Sequence, residues 1–198
     1  MADINSIIDE LINKDGQILR TSKVMDAGIS KDQFYSYIRK EDMVKLAHGI
    51  YVKEDAWIDE MYLLQLRFPK IVYSMETALY LHGLAEKEPT PLTVTVPAKY
   101  NTRELIESDV NINYVKKEWF DIGVCMIESN DGNMLRVYDK ERTICDIIRK
   151  KDYMDVAVFN HAITQYMKSK DKNLTRLIQY AQEFHIEKKL RMIMGVLF

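Results

Sequence analysis

A chain of 198 residues with 47% hydrophobic and 29% charged side chains is long enough for one large domain or two modest ones, and its mix excludes disordered, collagenous and rod-like coiled-coil architectures. Seven glycines and four prolines leave no material for long low-complexity linkers. The formal net charge of −2 excludes a uniformly basic coat for nucleic acid, yet residues 1–19 carry −3, 20–53 carry +3, 54–139 carry −7 and 140–191 carry +5.

Two basic segments on either side of an acidic one are expected either to serve distinct partners or merely to solvate helix faces. No apolar run approaches the roughly 20 residues of a membrane span. The opening Met1-Ala2-Asp3-Ile4 lacks the basic and apolar regions of a secretory signal. A cytoplasmic protein with no membrane partner is expected. Cys125 and Cys145 are not spaced as a metal or redox pair and read as small buried thiols.

Ile4, Ile7, Ile8, Leu11 and Ile12 recur at helical spacing and predict a first helix, ended by Lys14-Asp15-Gly16. Thr21 or Ser22 is expected to cap a short second helix through Val24, Met25 and Ala27, with Gly28 supplying the turn. Ser30-Lys31-Asp32-Gln33 has the pattern of a capping box and opens a third helix to about Glu41. In that helix Phe34, Tyr37 and Ile38 share one face. Asp32, Tyr35, Ser36 and Arg39 point the other way, with Lys31 and Lys40 toward the flanks.

Two helices joined by a glycine-containing turn make a helix-turn-helix. Met43–Ala47 and Ile50–Lys53, around His48-Gly49, add a hairpin and hence a wing. Such a domain lays its third helix in the major groove of DNA while the wing follows the backbone. Arg39 suits a bidentate contact to guanine, and Ser36 and Tyr35 suit bases or phosphates. Lys31, Lys40 and Lys45 suit phosphates, and His48 suits a backbone or minor-groove contact at the wing tip. A helical cap with a solvated face, or a winged helix used only for protein contact, stays open beside this reading.

Asp55 to Arg67 predicts a bridging helix that ends before Pro69. Ser74 is expected to cap Met75–Leu81, which His82-Gly83 terminates. Strands are predicted over Leu92–Val96, Asn111–Val115, Ile122–Ile127 and Met134–Tyr138, with Asn130-Asp131-Gly132 turning between the last two. Helices follow from Asp139 through Ile148, over Asp155–Met167, over Asn173–Phe184 and over about Ile186–Met194. The expected class is α+β. It comprises a winged helix-turn-helix over 1–55, a linking helix over 56–70 and a C-terminal domain over 71–198 with a small, mainly antiparallel sheet flanked by helices.

Catalytic signals are missing. His48, His82, His161 and His185 lie far apart, with no HxxxH or HExxH spacing. No phosphate loop, GxGxxG or GxSxG occurs, and Glu86-Lys87-Glu88 reads as a solvated loop cluster. Asp139, Glu141 and Asp146 surround a helix start, where the macrodipole favours acids. No enzyme activity, metal or cofactor is expected.

Three segments carry a family likeness: the wing Leu46-Ala47-His48-Gly49-Ile50-Tyr51, the run Tyr73-Ser74-Met75-Glu76-Thr77-Ala78-Leu79-Tyr80-Leu81-His82-Gly83-Leu84, and Val137-Tyr138-Asp139-Lys140-Glu141-Arg142-Thr143-Ile144-Cys145-Asp146. In order and spacing they resemble the AbiEi family, the antitoxins of the AbiE abortive-infection toxin–antitoxin systems of phage defence. The resemblance implies a winged helix that represses its own operon by binding inverted repeats in double-stranded promoter DNA. It also implies a C-terminal domain that neutralises a nucleotidyltransferase-like toxin, by direct contact or without it.

Carried onto this sequence, the DNA contacts fall on Lys31, Tyr35, Ser36, Arg39, Lys40, Lys45 and His48. Lys150, Lys151, Lys168, Lys170, Lys172, Arg176, Lys188, Lys189 and Arg191 are the candidates for an antitoxic or second basic surface. The Ser74–Leu84 and Glu141–Asp146 signatures read as structural. Two rival readings are a winged-helix transcriptional regulator whose C-terminal domain senses a ligand or oligomerises, and an enzyme acting on the toxin or on RNA through the basic C-terminal face.

Overall fold

The structure, a computed structural model, describes residues 3–197. It divides into two compact units, Met1–Pro69 with Glu128–Met134, and Lys70–Ile127 with Leu135–Phe198.

The first unit runs α1 (Ile4–Lys14), β1 (Ile18–Arg20), α2 (Thr21–Asp26), α3 (Lys31–Lys40), β2 (Val44–Ala47), β3 (Ile50–Val52) and α4 (Glu60–Arg67). Its three strands form an antiparallel sheet in the order β1-β3-β2, with Ile18 opposite Val52 and Lys45 opposite Tyr51. Ile8 and Ile12 of α1 meet Leu19, Val24, Phe34, Tyr37 and Tyr51 in one core. A second cluster packs Ile18, Ile50 and Val52 against Ile58, Tyr62 and Leu66 beside α4.

Asp59 caps α4, accepting from the Tyr62 amide at 2.9 Å. Its other carboxylate oxygen accepts from Ser129 Oγ at 2.5 Å and Asn133 Nδ2 at 3.1 Å. The Trp57 indole donates to Asp131 at 3.1 Å. These bonds explain why 128–134 belongs to this unit, although the sequence reading puts it in the C-terminal domain. The helix expected to link two domains is likewise part of the first unit.

The second unit contains β4 (Val72–Tyr73), α5 (Met75–Leu81), β5 (Thr93–Pro97), α6 (Arg103–Ile106), β6 (Asn111–Val115), α7 (Lys117–Phe120), β7 (Val124–Glu128) and β8 (Met134–Tyr138). There follow α8 (Lys140–Arg149), α9 (Val156–Lys168), α10 (Leu174–Glu183) and α11 (Glu187–Leu197). The α+β class holds. The five-stranded sheet, ordered β6-β5-β4-β8-β7, is however mixed rather than mainly antiparallel, because β4 pairs parallel to β8 and β5 parallel to β6. Parallel pairing needs a crossover, and α6 supplies one between β5 and β6.

The centre of this unit is α8, whose Ile144, Cys145, Ile147 and Ile148 pack against Phe159, Ile163 and Tyr166 of α9, Leu177 and Ala181 of α10, and Leu190 and Ile193 of α11. Burial continues around the helix and takes in Glu141, Arg142, Thr143 and Asp146. Arg142 Nε donates to Asp146 at 2.8 Å, and Nη1 donates to the carbonyls of Trp119 and Ile122 at 2.7 and 2.8 Å. Its guanidinium stacks between the rings of Tyr138 and Phe184. Glu141 accepts from the Tyr166 hydroxyl at 3.1 Å and the Asn173 amide at 2.8 Å. Specific partners, not the macrodipole alone, therefore place these acids.

Two expected caps differ. Arg20 occupies the N-cap of α2, where no side chain caps. Ser74 Oγ accepts from Thr95 Oγ1 at 2.8 Å instead of capping α5. Cys145 is buried and Cys125 only partly so; burial pushes both thiols up from their ordinary range.

Candidate nucleic-acid interface

The placement of α3 follows from its ends and its inward face. Gly28, with φ of 77°, turns the chain after α2 in a conformation that favours glycine. Ser30 then closes the capping box: its Oγ accepts from the Gln33 amide at 3.3 Å, and its own amide donates to Gln33 Oε1 at 3.0 Å. Phe34 and Tyr37 are buried, the Phe34 ring meeting Tyr51 edge-on at 5.4 Å. The Tyr37 hydroxyl donates to Asp9 on α1 at 2.5 Å. Burial first, then this carboxylate, pushes the phenol far above the ordinary tyrosine range, so it stays a donor.

With the inward face fixed, Lys31, Tyr35, Ser36, Arg39 and Lys40 are all exposed. At about 100° per residue they form two neighbouring rows, Lys31-Tyr35-Arg39 and Asp32-Ser36-Lys40. Lys40 lies 3.4 Å from Glu41, which also faces Lys53 at 3.9 Å. Among the described residues, no carboxylate stands within salt-bridge distance of Lys31, Arg39 or Lys45.

The sheet extends this face. Lys45 on β2 lies directly opposite Tyr51 on β3, and the Tyr51 ring meets Phe34 of α3 edge-on at 5.4 Å, Phe34 in turn lying 5.1 Å from the Tyr35 ring. Tyr51 therefore ties the strand pair that carries Lys45 to α3 through Phe34. His48 is exposed at the wing turn, where Gly49 (φ 71°) follows and the Gly49 carbonyl accepts from the Thr21 amide at 2.9 Å. The turn is thus held against the first residue of α2.

Sequence reasoning missed β1, Tyr51 as the joint between wing and helix, and the brace made by Arg20. Arg20 forms a bidentate pair with Asp15, whose Oδ1 also accepts from Tyr62 at 2.7 Å. The spacing of Ile18 and Leu19 before Arg20 carries too few residues to announce a strand.

The nine basic C-terminal candidates do not form one surface. Lys150 donates to Asn113, and Lys151 sits over the Phe159 ring, both just past the C-terminal end of α8. Lys168, Lys170, Lys172 and Arg176 gather at the opposite end of that helix, where Lys140 pairs with Asp171 and Asn173 meets Glu141. Ten residues of helix keep the two groups about 15 Å apart. Within the second group Arg176 lies 3.7 Å from Asp139, and Lys172 donates to the Ser169 carbonyl at 3.0 Å. Lys188, Lys189 and Arg191 form a third group, exposed on α11.

Among the described residues no cluster of His, Cys, Asp and Glu is arranged to hold a metal, and no helix is long and apolar enough to cross a membrane. No protein-family model matches the chain, and no curated protein matches it in sequence. The crystal structure of the RV2827C protein from Mycobacterium tuberculosis is similar in fold, with a TM-score of 0.57 at 14% identity over 89% of this chain and 70% of that one.

Proposed function

We propose that the protein is an autorepressing antitoxin resembling the AbiEi family, which binds inverted repeats in its own promoter through α3 and β2 and counters a nucleotidyltransferase-like toxin through its second unit. The observation that carries the DNA-binding half is the exposed face bearing Lys31, Tyr35, Ser36 and Arg39, whose cations have no acid partner among the described residues. Unpaired cations beside an exposed tyrosine on a rigidly capped helix are poised for phosphates and guanine edges. The antitoxic half is supported by the sequence resemblance alone.

A reporter driven by the upstream region of the gene tests the first half. The chain should repress it, and the Lys31→Ala/Arg39→Ala double variant should not; equal repression by both removes α3 as the reader. Co-expression with the neighbouring reading frame tests the second half, since growth rescue should survive the same double variant.

A second reading, a transcriptional regulator that senses a ligand or oligomerises and serves no toxin, is favoured by an open groove of about 520 Å³ between the loop after α5 and α9. Failure of growth rescue by a folded, repressing chain selects it.

A further inference from the structure

The second unit carries two exposed features of opposite character. The first is the groove between the loop after α5 and α9, whose lining sets Glu76, Glu86 and Glu88 against Lys87 and His161 beside the apolar atoms of Ala85 and Val158. Among the described residues no lysine, arginine or histidine stands within salt-bridge distance of these three glutamates. An apolar lining edged by more carboxylates than cations is complementary to an apolar side chain with cations beside it.

The second feature is the outer face of α11. Leu190 and Ile193 are spent on the unit's own core, and the opposite side presents Lys188, Arg191 and Met192, the methionine 62% exposed. Residues 191 and 192 lie three and four positions beyond 188, so Lys188 stands between Arg191 and the exposed Met192 on one outer face. These cations likewise have no acid partner among the described residues. A flexible, unbranched methionine fits an irregular apolar slot.

We infer that the acidic groove of one molecule receives the Lys188-Arg191-Met192 face of α11 from a second copy of the chain. The inward stripe of α11 holds it on its own core, so its outward face is free only for another molecule. The excess of glutamates in the groove complements Lys188 and Arg191, and its apolar atoms complement Met192. The contact stands whether or not the first unit binds DNA. One protomer's groove and the other's helix are different patches, so reciprocal docking closes a two-fold dimer and unreciprocated docking grows a chain.

Sedimentation of the full chain over a concentration series tests this. Self-association should appear as concentration rises, and should weaken between about 0.1 and about 1 M salt, where the Debye length falls from about 10 to about 3 Å. Glu86→Lys/Glu88→Lys and, separately, Lys188→Glu/Arg191→Glu should each weaken association at least about tenfold, as expected for like charges brought together. Mixing the two singly reversed proteins, or combining both reversals in one chain, should restore it. Growth in mass that stops at the dimer marks the reciprocal arrangement and continued growth the open one; either carries the contact. A protein that stays monomeric throughout, or one whose association is untouched by both reversals, overturns it. Circular dichroism of each variant separates lost contact from lost fold.

Discussion

Arg142 is fully buried, with its charge held by one carboxylate, two carbonyls and two aromatic rings. Removing one side of a buried ion pair leaves the other uncompensated, a loss of about 3–5 kcal/mol. Asp146→Ala should therefore lower the urea midpoint of the second unit strongly. Trp119 can report it in a Trp57→Phe background, because the two tryptophans lie in different units. A loss under about 1 kcal/mol, the scale of an exposed pair, contradicts this role for the pair.

His82 gives the same unit a pH dependence. Burial lowers its pKa below the ordinary 6.5, although the Tyr138 carbonyl, 2.7 Å from Nε2, acts in the opposite direction. The unfolded chain then binds the proton more readily than the folded one, so stability is complete above about 6.5 and falls as pH drops below it. His82→Gln keeps a donor for the carbonyl and should flatten that fall between about pH 7 and pH 5. An unchanged slope assigns the fall to other groups. At this scale the sequence displayed the charged residues of the Glu141–Asp146 run but not their burial, since the partners Trp119, Tyr166 and Asn173 are remote along the chain.

Elements were legible in proportion to how much local chemistry announces them. The capping box of α3 and its Phe34-Tyr37-Ile38 inner face are written in adjacent residues, and the structure contains both. Helices α9 and α10 have side-chain caps at Asp155 and Asn173, where the pattern placed their starts. Strands β1 and β4, at three and two residues, are too short for alternation to register, and α6 and α7, at four residues each, are too short for helical periodicity. Parallel pairing of β4 with β8 is a property of the whole chain, which no local pattern reports. The capping box yields its own test: Ser30→Ala removes an acceptor from the first turn and should cost about 0.5–2 kcal/mol. That loss belongs to the first unit, read through Trp57 fluorescence, and Ser30→Asp should recover most of it. A loss that aspartate cannot recover points away from capping.

At the scale of the whole molecule, the charge asymmetry separates into local surfaces. The +3 segment supplies the α3 face, whereas the +5 segment is divided among two ends of α8 and the outer side of α11. The chain leaves the first unit at residue 69 and contributes to it again over 128–134. A fragment ending at residue 69 therefore loses Ser129 and Asn133 as partners of buried Asp59, and Asp131 as partner of Trp57. Leaving a buried carboxylate short of donors costs about 1–3 kcal/mol or more. The isolated fragment should melt below the first unit in the full chain, and equal melting removes any stabilising role for the 128–134 turn.

The central claim is that α3 reads a base sequence through Arg39, and anisotropy titration of the full chain measures it most directly. The labelled duplexes are the inverted repeat from upstream of the gene and a scrambled duplex of the same length. The wild-type protein should prefer the repeat, with affinity falling steeply as salt rises because phosphate contacts release counterions. Arg39→Ala should lose about 1–3 kcal/mol on the repeat and far less on the scrambled duplex. Equal losses on both duplexes, or none on either, would contradict base reading by α3.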